Sequence, residues 1–139
     1  MNIELARQAI TSKVEQVRAL YSPTLIVEYD NRILVDRATQ VDPFVMVDLL
    51  FISGNQASLG LDTLVRNYGQ IVLTASAKEN TGMKQAAEIL DFFSDRLEIR
   101  EFGGVRTKGA SPQKCTHAEG WYHFPVIIPF WFDRLAQLT

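Results

Sequence analysis

The stretch Gln70-Ile71-Val72-Leu73-Thr74-Ala75-Ser76-Ala77, followed by Lys78-Glu79-Asn80-Thr81-Gly82 and then by Met83 to Glu98, decides the fold. Its first part is rich in strand formers, and Ile71, Leu73, Ala75 and Ala77 alternate onto one face. Residues 78–82 break that alternation, and Asn80 or Thr81 is expected to cap a new helix by accepting from its free backbone N–H groups. From Met83 the period changes. Met83, Ala86/Ala87, Leu90, Phe93 and Leu97 recur at three- and four-residue steps and form one helical stripe, while Lys84, Glu88, Asp91, Asp95 and Arg96 fall mostly off it. A strand that feeds a helix back across a sheet builds a two-layer core.

Upstream, Ile3, Ala6, Ile10, Val14 and Val17 mark a first amphipathic helix over 2–20. Ser22-Pro23 stops it, because proline disfavours helical geometry in the residue before it. Leu25, Val27 and Tyr29 give a first strand, Asp30-Asn31-Arg32 a turn, and Ile33 to Asp36 a short return strand. Pro43 to Ile52 reads as a strand with Val45, Val47, Leu49 and Phe51 on one face. Asp48, its only charge, is expected on a solvent face or at an edge. Ser53 to Tyr68, with Gly54 and Gly60, reads as a long connection.

Downstream, Ile99 to Glu119 is punctuated by Gly103-Gly104, Gly109 and Pro112 and is the most basic part of the chain. Short strands are expected at Ile99–Phe102 and Val105–Thr107. Gly120 to Phe132 reads as the last strand, with Tyr122, Phe124, Val126, Ile128, Phe130 and Phe132 on its core face. Pro125 and Pro129 suggest an edge or bulged strand, since proline cannot donate to a ladder. Asp133 to Leu138 reads as a short polar finish. The sum is one α/β domain of the α+β kind over residues 1–139, a mixed, mainly antiparallel sheet packed against two α-helices.

The 139 residues suit one domain, and 47% hydrophobic against 22% charged residues is a globular balance. A net charge of -2 argues against phosphate neutralisation as the basis of binding, so no nucleic-acid specificity is expected. The longest apolar run, Pro125 to Trp131, is too short to span a bilayer, which takes about 20 helical residues. No export signal is visible at the N-terminus, and the single cysteine, Cys115, suits a reducing cytoplasm.

Three groupings carry residue types that could do chemistry. Cys115, His117 and Glu119 alternate and would share a strand face, but a zinc site wants more ligands and a reactive thiolate wants a placed partner. Gly104 to Ser111 faintly echoes a phosphate loop, yet its lysine precedes the second glycine and no Lys-Ser/Thr pair follows. Asp91 and Asp95 lie four apart on the polar face of the second helix, as solvated carboxylates do. No catalytic, cofactor-binding or metal-binding set is expected, and no cofactor.

Ser58-Leu59-Gly60, then Arg66-Asn67-Tyr68-Gly69 leading into a strand, then Thr81-Gly82 opening a helix with Ala86 to Leu90 and Phe93, and finally Gly120-Trp121 leading into Ile127-Ile128-Pro129-Phe130 occur in that order. In this order and spacing, over nearly the whole chain, the sequence resembles the phage tail terminator-like proteins of long-tailed bacteriophages and prophages. The resemblance implies a minor tail protein that forms a ring, six-fold in the family, on the head-proximal end of a tail tube. Its implied partners are further copies of itself, the tail tube protein and a head-completion or connector protein, with no membrane. It implies assembly in the host cytoplasm and a final place in the virion tail. A ring needs one surface patch to meet a different patch on the neighbour. The expected contact residues are Leu59, Gly60, Leu61, Arg66, Asn67 and Tyr68 on one side and Arg100, Arg106 and Lys108 on the other. The alternatives are another neck or head–tail joining protein, a small enzyme using Cys115 and His117, and a monomeric cytosolic binding domain.

Overall fold

Asn2 closes the first turn of α1 (Ile3–Tyr21), its side-chain oxygen accepting from the Leu5 N–H at 2.8 Å. The computed structural model describes residues 2–30, 34, 36–37, 39–56 and 62–137. After α1 come β1 (Val27–Tyr29), β2 (Phe44–Gln56), β3 (Asp62–Lys78) and α2 (Lys84–Leu97). Four short strands follow, β4 (Glu101–Phe102), β5 (Val105–Thr107), β6 (Ser111–Pro112) and β7 (Thr116–Ala118), and then the long β8 (Trp121–Gln137). One mixed sheet takes the order β1-β2-β3-β8-β5-β4, with β6 and β7 also on β8. Among the described residues β1 and β2 pair in parallel and the other pairings are antiparallel.

Both helices cover one face of this sheet. Ala6, Ile10, Val14 and Val17 of α1 and Ala86, Ile89, Leu90, Phe93 and Leu97 of α2 are buried against Val45, Val47, Ile71, Leu73, Ala75, Ile128, Phe130 and Phe132. The fold is therefore the expected α+β arrangement. Two ends of the expected stripes do not reach the core: Ile3 is 56% exposed, and Tyr122 turns out to stack on His117. Neither Asn80 nor Thr81 caps α2. Its N-cap is Met83, without a side-chain hydrogen bond, because Asn80 and Gly82 adopt positive φ and the Thr81 hydroxyl donates back to the Lys78 carbonyl.

The segment 53–68 is not a long connection. Ser53 to Gln56 continue β2, and Asp62 to Tyr68 open β3, so paired strand backbone replaces most of the expected loop. Gly69 permits this extension. A Cβ there would stand 2.4 Å from the Leu50 carbonyl oxygen and 2.4 Å from the Phe130 ring, so only glycine lets the strands close at that point. A bulge between Phe51 and Ser53 then shifts the register. The expected turn at 30–32 and return strand at 33–36 fall largely outside the described residues.

β8 is an interior strand, not an edge, and it runs on through Asp133 to Gln137 beside β3. Its prolines survive because of which way they face. Lys108 N–H donates to the Pro129 carbonyl at 2.8 Å, and Gln113 N–H donates to the Pro125 carbonyl at 2.9 Å. The missing N–H of each proline therefore points to this same side, away from β3. That side is broken into β5, β6 and β7, and the prolines fall at the gaps between them. Gly103 and Gly104, both at positive φ, make the tight turn between β4 and β5.

Among the described residues, the second sheet face is covered at one end. There Phe44 and Trp121 meet edge to face at 5.0 Å, and the Arg37 guanidinium lies 4.5 Å over Phe44. Arg37 also donates to both carboxylate oxygens of Glu28, at 2.9 and 2.8 Å, and its carbonyl accepts from the Trp121 indole N–H. Glu28 is only 4% exposed, and removing one partner of a buried ion pair costs about 3 kcal/mol or more. Arg37→Ala should therefore lower unfolding free energy by about 3 kcal/mol in urea titration. Arg7→Ala, which breaks the exposed Arg7–Glu4 pair, should leave the midpoint unchanged. Equal midpoints for the two variants would refute the plug role given to Arg37.

Candidate interaction surface

The β3–β8 register sets Tyr68 opposite Trp131 and Arg66 opposite Asp133, and the β5–β8 register sets Arg106 opposite Trp131 on its other side. These side chains share the sheet face that the helices leave open. The Arg66 guanidinium lies 3.9 Å from the Trp131 ring centroid and that of Arg106 lies 4.9 Å from it. Arg66 also binds Asp133 through two parallel bonds, of 2.9 and 3.1 Å, which fixes the plane it presents to the indole. This bonding holds the Asp133 carboxyl below its usual range. Arg106 sits 3.4 Å from Glu101, and the Lys108 ammonium lies 5.8 Å from the Tyr68 ring. The result is a tryptophan flanked by two guanidiniums, with a tyrosine and a lysine beside it.

Around this cluster the open face is apolar and accessible. Leu50 is 52% exposed, Ile52 59% and Leu135 57%, while Val72, Ile127 and Pro129 are half-buried. Tryptophan, tyrosine and arginine set in accessible apolar surface are the residue types that dominate protein contacts. Of the contact residues expected from sequence, Arg66, Tyr68, Arg106 and Lys108 come together here, on one face instead of on two opposed sides. Arg100 lines the adjoining groove with Arg106 and Trp131, and its side chain donates to the Asp95 carbonyl. Asn67 points the other way, into a notch with Ile3 and Phe51, where its amide nitrogen is buried and has no hydrogen-bond partner among the described residues. Leu59, Gly60 and Leu61 lie outside the described residues. The centre of the patch, Trp131, and its anchor Asp133 were not singled out from sequence. The available signal was a large aromatic on the opposite parity from a strand face already filled by Phe130 and Phe132.

The groupings weighed for catalysis come apart in three dimensions. Cys115 precedes β7 and Glu119 sits in a turn at φ 55, so the two do not share a strand face with His117. His117 stacks on Tyr122 at 4.6 Å and approaches Glu79 at 3.5 Å. In the segment that faintly echoes a phosphate loop, Val105–Thr107 is the expected strand, and the Thr107 hydroxyl donates to the Leu97 carbonyl. Among the described residues no three His, Cys, Asp or Glu side chains are grouped as metal ligands, and no helix is long and apolar enough to cross a membrane.

The fold and this face define a small α+β protein with an accessible cationic and aromatic interaction surface. No family model matches the chain, and no curated protein matches it. Two solved structures share its fold over nearly its whole length. One, which carries no functional name, is 16% identical over 99% of both chains, with a TM-score of 0.61. The other belongs to the virion of a native gene transfer agent particle and is 12% identical, covering 96% of this chain and all of its own, with a TM-score of 0.59.

At the margin of the open face, Asp48 hydrogen-bonds Asp30, and the shared proton, aided by burial, pushes the Asp48 carboxyl up to about 6 from 3.8. Asp30 also accepts from the Leu49 N–H at 3.2 Å. A carboxyl raised on folding stabilises below its unfolded value and loses that contribution as pH rises through the folded one. Stability should therefore fall between about pH 4 and pH 6 through this pair. Asp48→Asn should flatten that part of the urea-midpoint profile and lie above wild type at pH 7. A variant profile parallel to wild type would disprove the shared proton.

Proposed function

We propose that this chain is a structural virion-assembly protein that caps the head-proximal end of a phage tail tube as an oligomeric ring. In this role it stops tail elongation and offers the head-attachment surface. The observation that carries the reading is the end-to-end likeness in fold to a protein of a gene transfer agent virion, which extends to the whole of that chain. The sequence resemblance to tail terminator-like proteins points the same way. The open face around Trp131 supports it physically, since an accessible Arg–Trp–Arg cluster is suited to a protein partner. The partners on this reading are further copies of the chain, the tail tube protein and a head-completion protein. The protein acts without catalysis.

Two outcomes decide between capping and joining. In lysates of the parent phage lacking this gene, electron microscopy should show overlong headless tubes beside tailless filled heads. Tails of normal length left unattached would move the protein to head–tail joining, and normal infectious particles would defeat both readings. Arg66→Glu should weaken ring formation with an unchanged circular dichroism spectrum, because it reverses one guanidinium on Trp131 and expels Asp133 from its pair. Unaltered assembly of that variant would remove the open face from the contact.

A further inference from the structure

On the helix-covered side of the molecule, α2 and β6 border a groove of about 270 Å³. Leu90, Phe124 and Val126 line its apolar wall, and Asp91, Asp95 and Glu98 its acidic rim. Glu98 is occupied within the chain, accepting from the Ala110 N–H at 2.6 Å. Asp91 and Asp95 make no ion pair among the described residues. They stand one helical turn apart beside apolar surface, with the Arg100 guanidinium held on the Asp95 backbone carbonyl and not on either carboxylate. The patch on the other face has the opposite character. It presents Trp131, the loosely paired Arg106, and Lys108, which makes no ion pair among the described residues. The molecule thus carries a cation-rimmed aromatic on one face and an acid-rimmed apolar groove on the other.

We infer that the Trp131–Arg106–Lys108 patch of one copy docks on the α2–β6 groove of a second copy and joins them head to tail. The contact rests on the ring reading above and names the surfaces that build it. Charge complementarity selects a second copy as the occupant: the acids of the groove meet the cations of the patch, and the indole meets the half-buried Phe124. The arrangement also explains why growth would continue past a pair. Phe124 and Val126 project from one face of β8, and Trp131 from the other. Two copies joined this way leave one free patch and one free groove facing apart. Such a heterologous contact closes only as a ring or runs on as a filament.

The test is sedimentation velocity of the purified full-length chain across protein and salt concentration, with circular dichroism to confirm folding. Wild type should associate, less so at high salt. Arg106→Glu with Lys108→Glu gives a chain with two acidic surfaces, and Asp91→Lys with Asp95→Lys one with two basic surfaces. Each should need about tenfold more protein, or greater, to reach half-assembly. An equimolar mixture should recover assembly, because each acidic patch now meets a basic groove and each basic patch an acidic one. Folded variants that assemble as wild type does, or a mixture that stays as weak as its components, would overturn the docking and leave capping intact. A wild type that stays monomeric throughout would overturn the docking together with self-assembly. Normal tail length on deletion of the gene would remove the capping function whatever the sedimentation shows.

Discussion

The ladder between β3 and β8 is the constraint on which the rest of the structure depends. It runs without a shift from Asp62 opposite Gln137 to Lys78 opposite Trp121. A slip of one residue in β8 would turn Ile128 and Phe130 to water and bring Pro129 and Trp131 under the helices. The long register is thus enforced by burial along one face. That same parity decides the identity of the other face, because every residue excluded from the core is placed on it in order. Gly69 is the point of closest approach, where Leu50 and Phe130 leave no room for a side chain. The aromatic cluster of Phe51, Phe130 and Phe132 packs around this point.

The two sides of β8 show how one strand serves two tasks. Toward β3 its hydrogen bonding is continuous, and this holds the sheet together. Away from β3 the prolines leave gaps, and three short strands fill the intervals. A single long neighbour there would need donors that Pro125 and Pro129 lack. The fragmentation has a spatial consequence. It lets the chain turn back between β5 and β6, so that Arg106 and Lys108 reach the open face while Ala110 and Pro112 border the groove beneath α2. The single segment 106–112 therefore contributes to both surfaces.

What was legible in the sequence follows from this physics. Both helical stripes and the core faces of the long strands rest on local periodicity, and they could be read residue by residue. The extension of β2 and β3 through 53–68 could not. Gly54 looks like loop punctuation until the strands are seen to close at Gly69 against the Phe130 ring, a contact between residues distant in the chain. The prolines misled for the same reason, since their acceptability depends on which neighbour each peptide faces. Arg66, Tyr68, Arg106 and Lys108 were visible as residue types, but their convergence was not. That convergence is made by pairing β8 with β3 on one side and β5 on the other, and neither pairing is encoded locally. Trp131 was hidden within an apolar run, where its parity mattered more than its hydrophobicity.

The energetics of the open face bear on why it exists. Exposed cation–π contacts and surface ion pairs add little to folding, because water solvates the separated groups well and salt screens them. Truncating Trp131 would therefore cost stability far less than truncating the buried Phe93 or Trp121. Accessible Leu50, Ile52 and Leu135 carry a further liability, since an apolar sheet face invites unspecific pairing. At its covered end the chain shields this same face with Phe44, Trp121 and Arg37. Leaving the other end uncovered is explicable when the apolar surface is buried in an assembly, where the guanidiniums would be desolvated against a charged partner. Interactions that are weak in the isolated fold then gain strength from the loss of water around them.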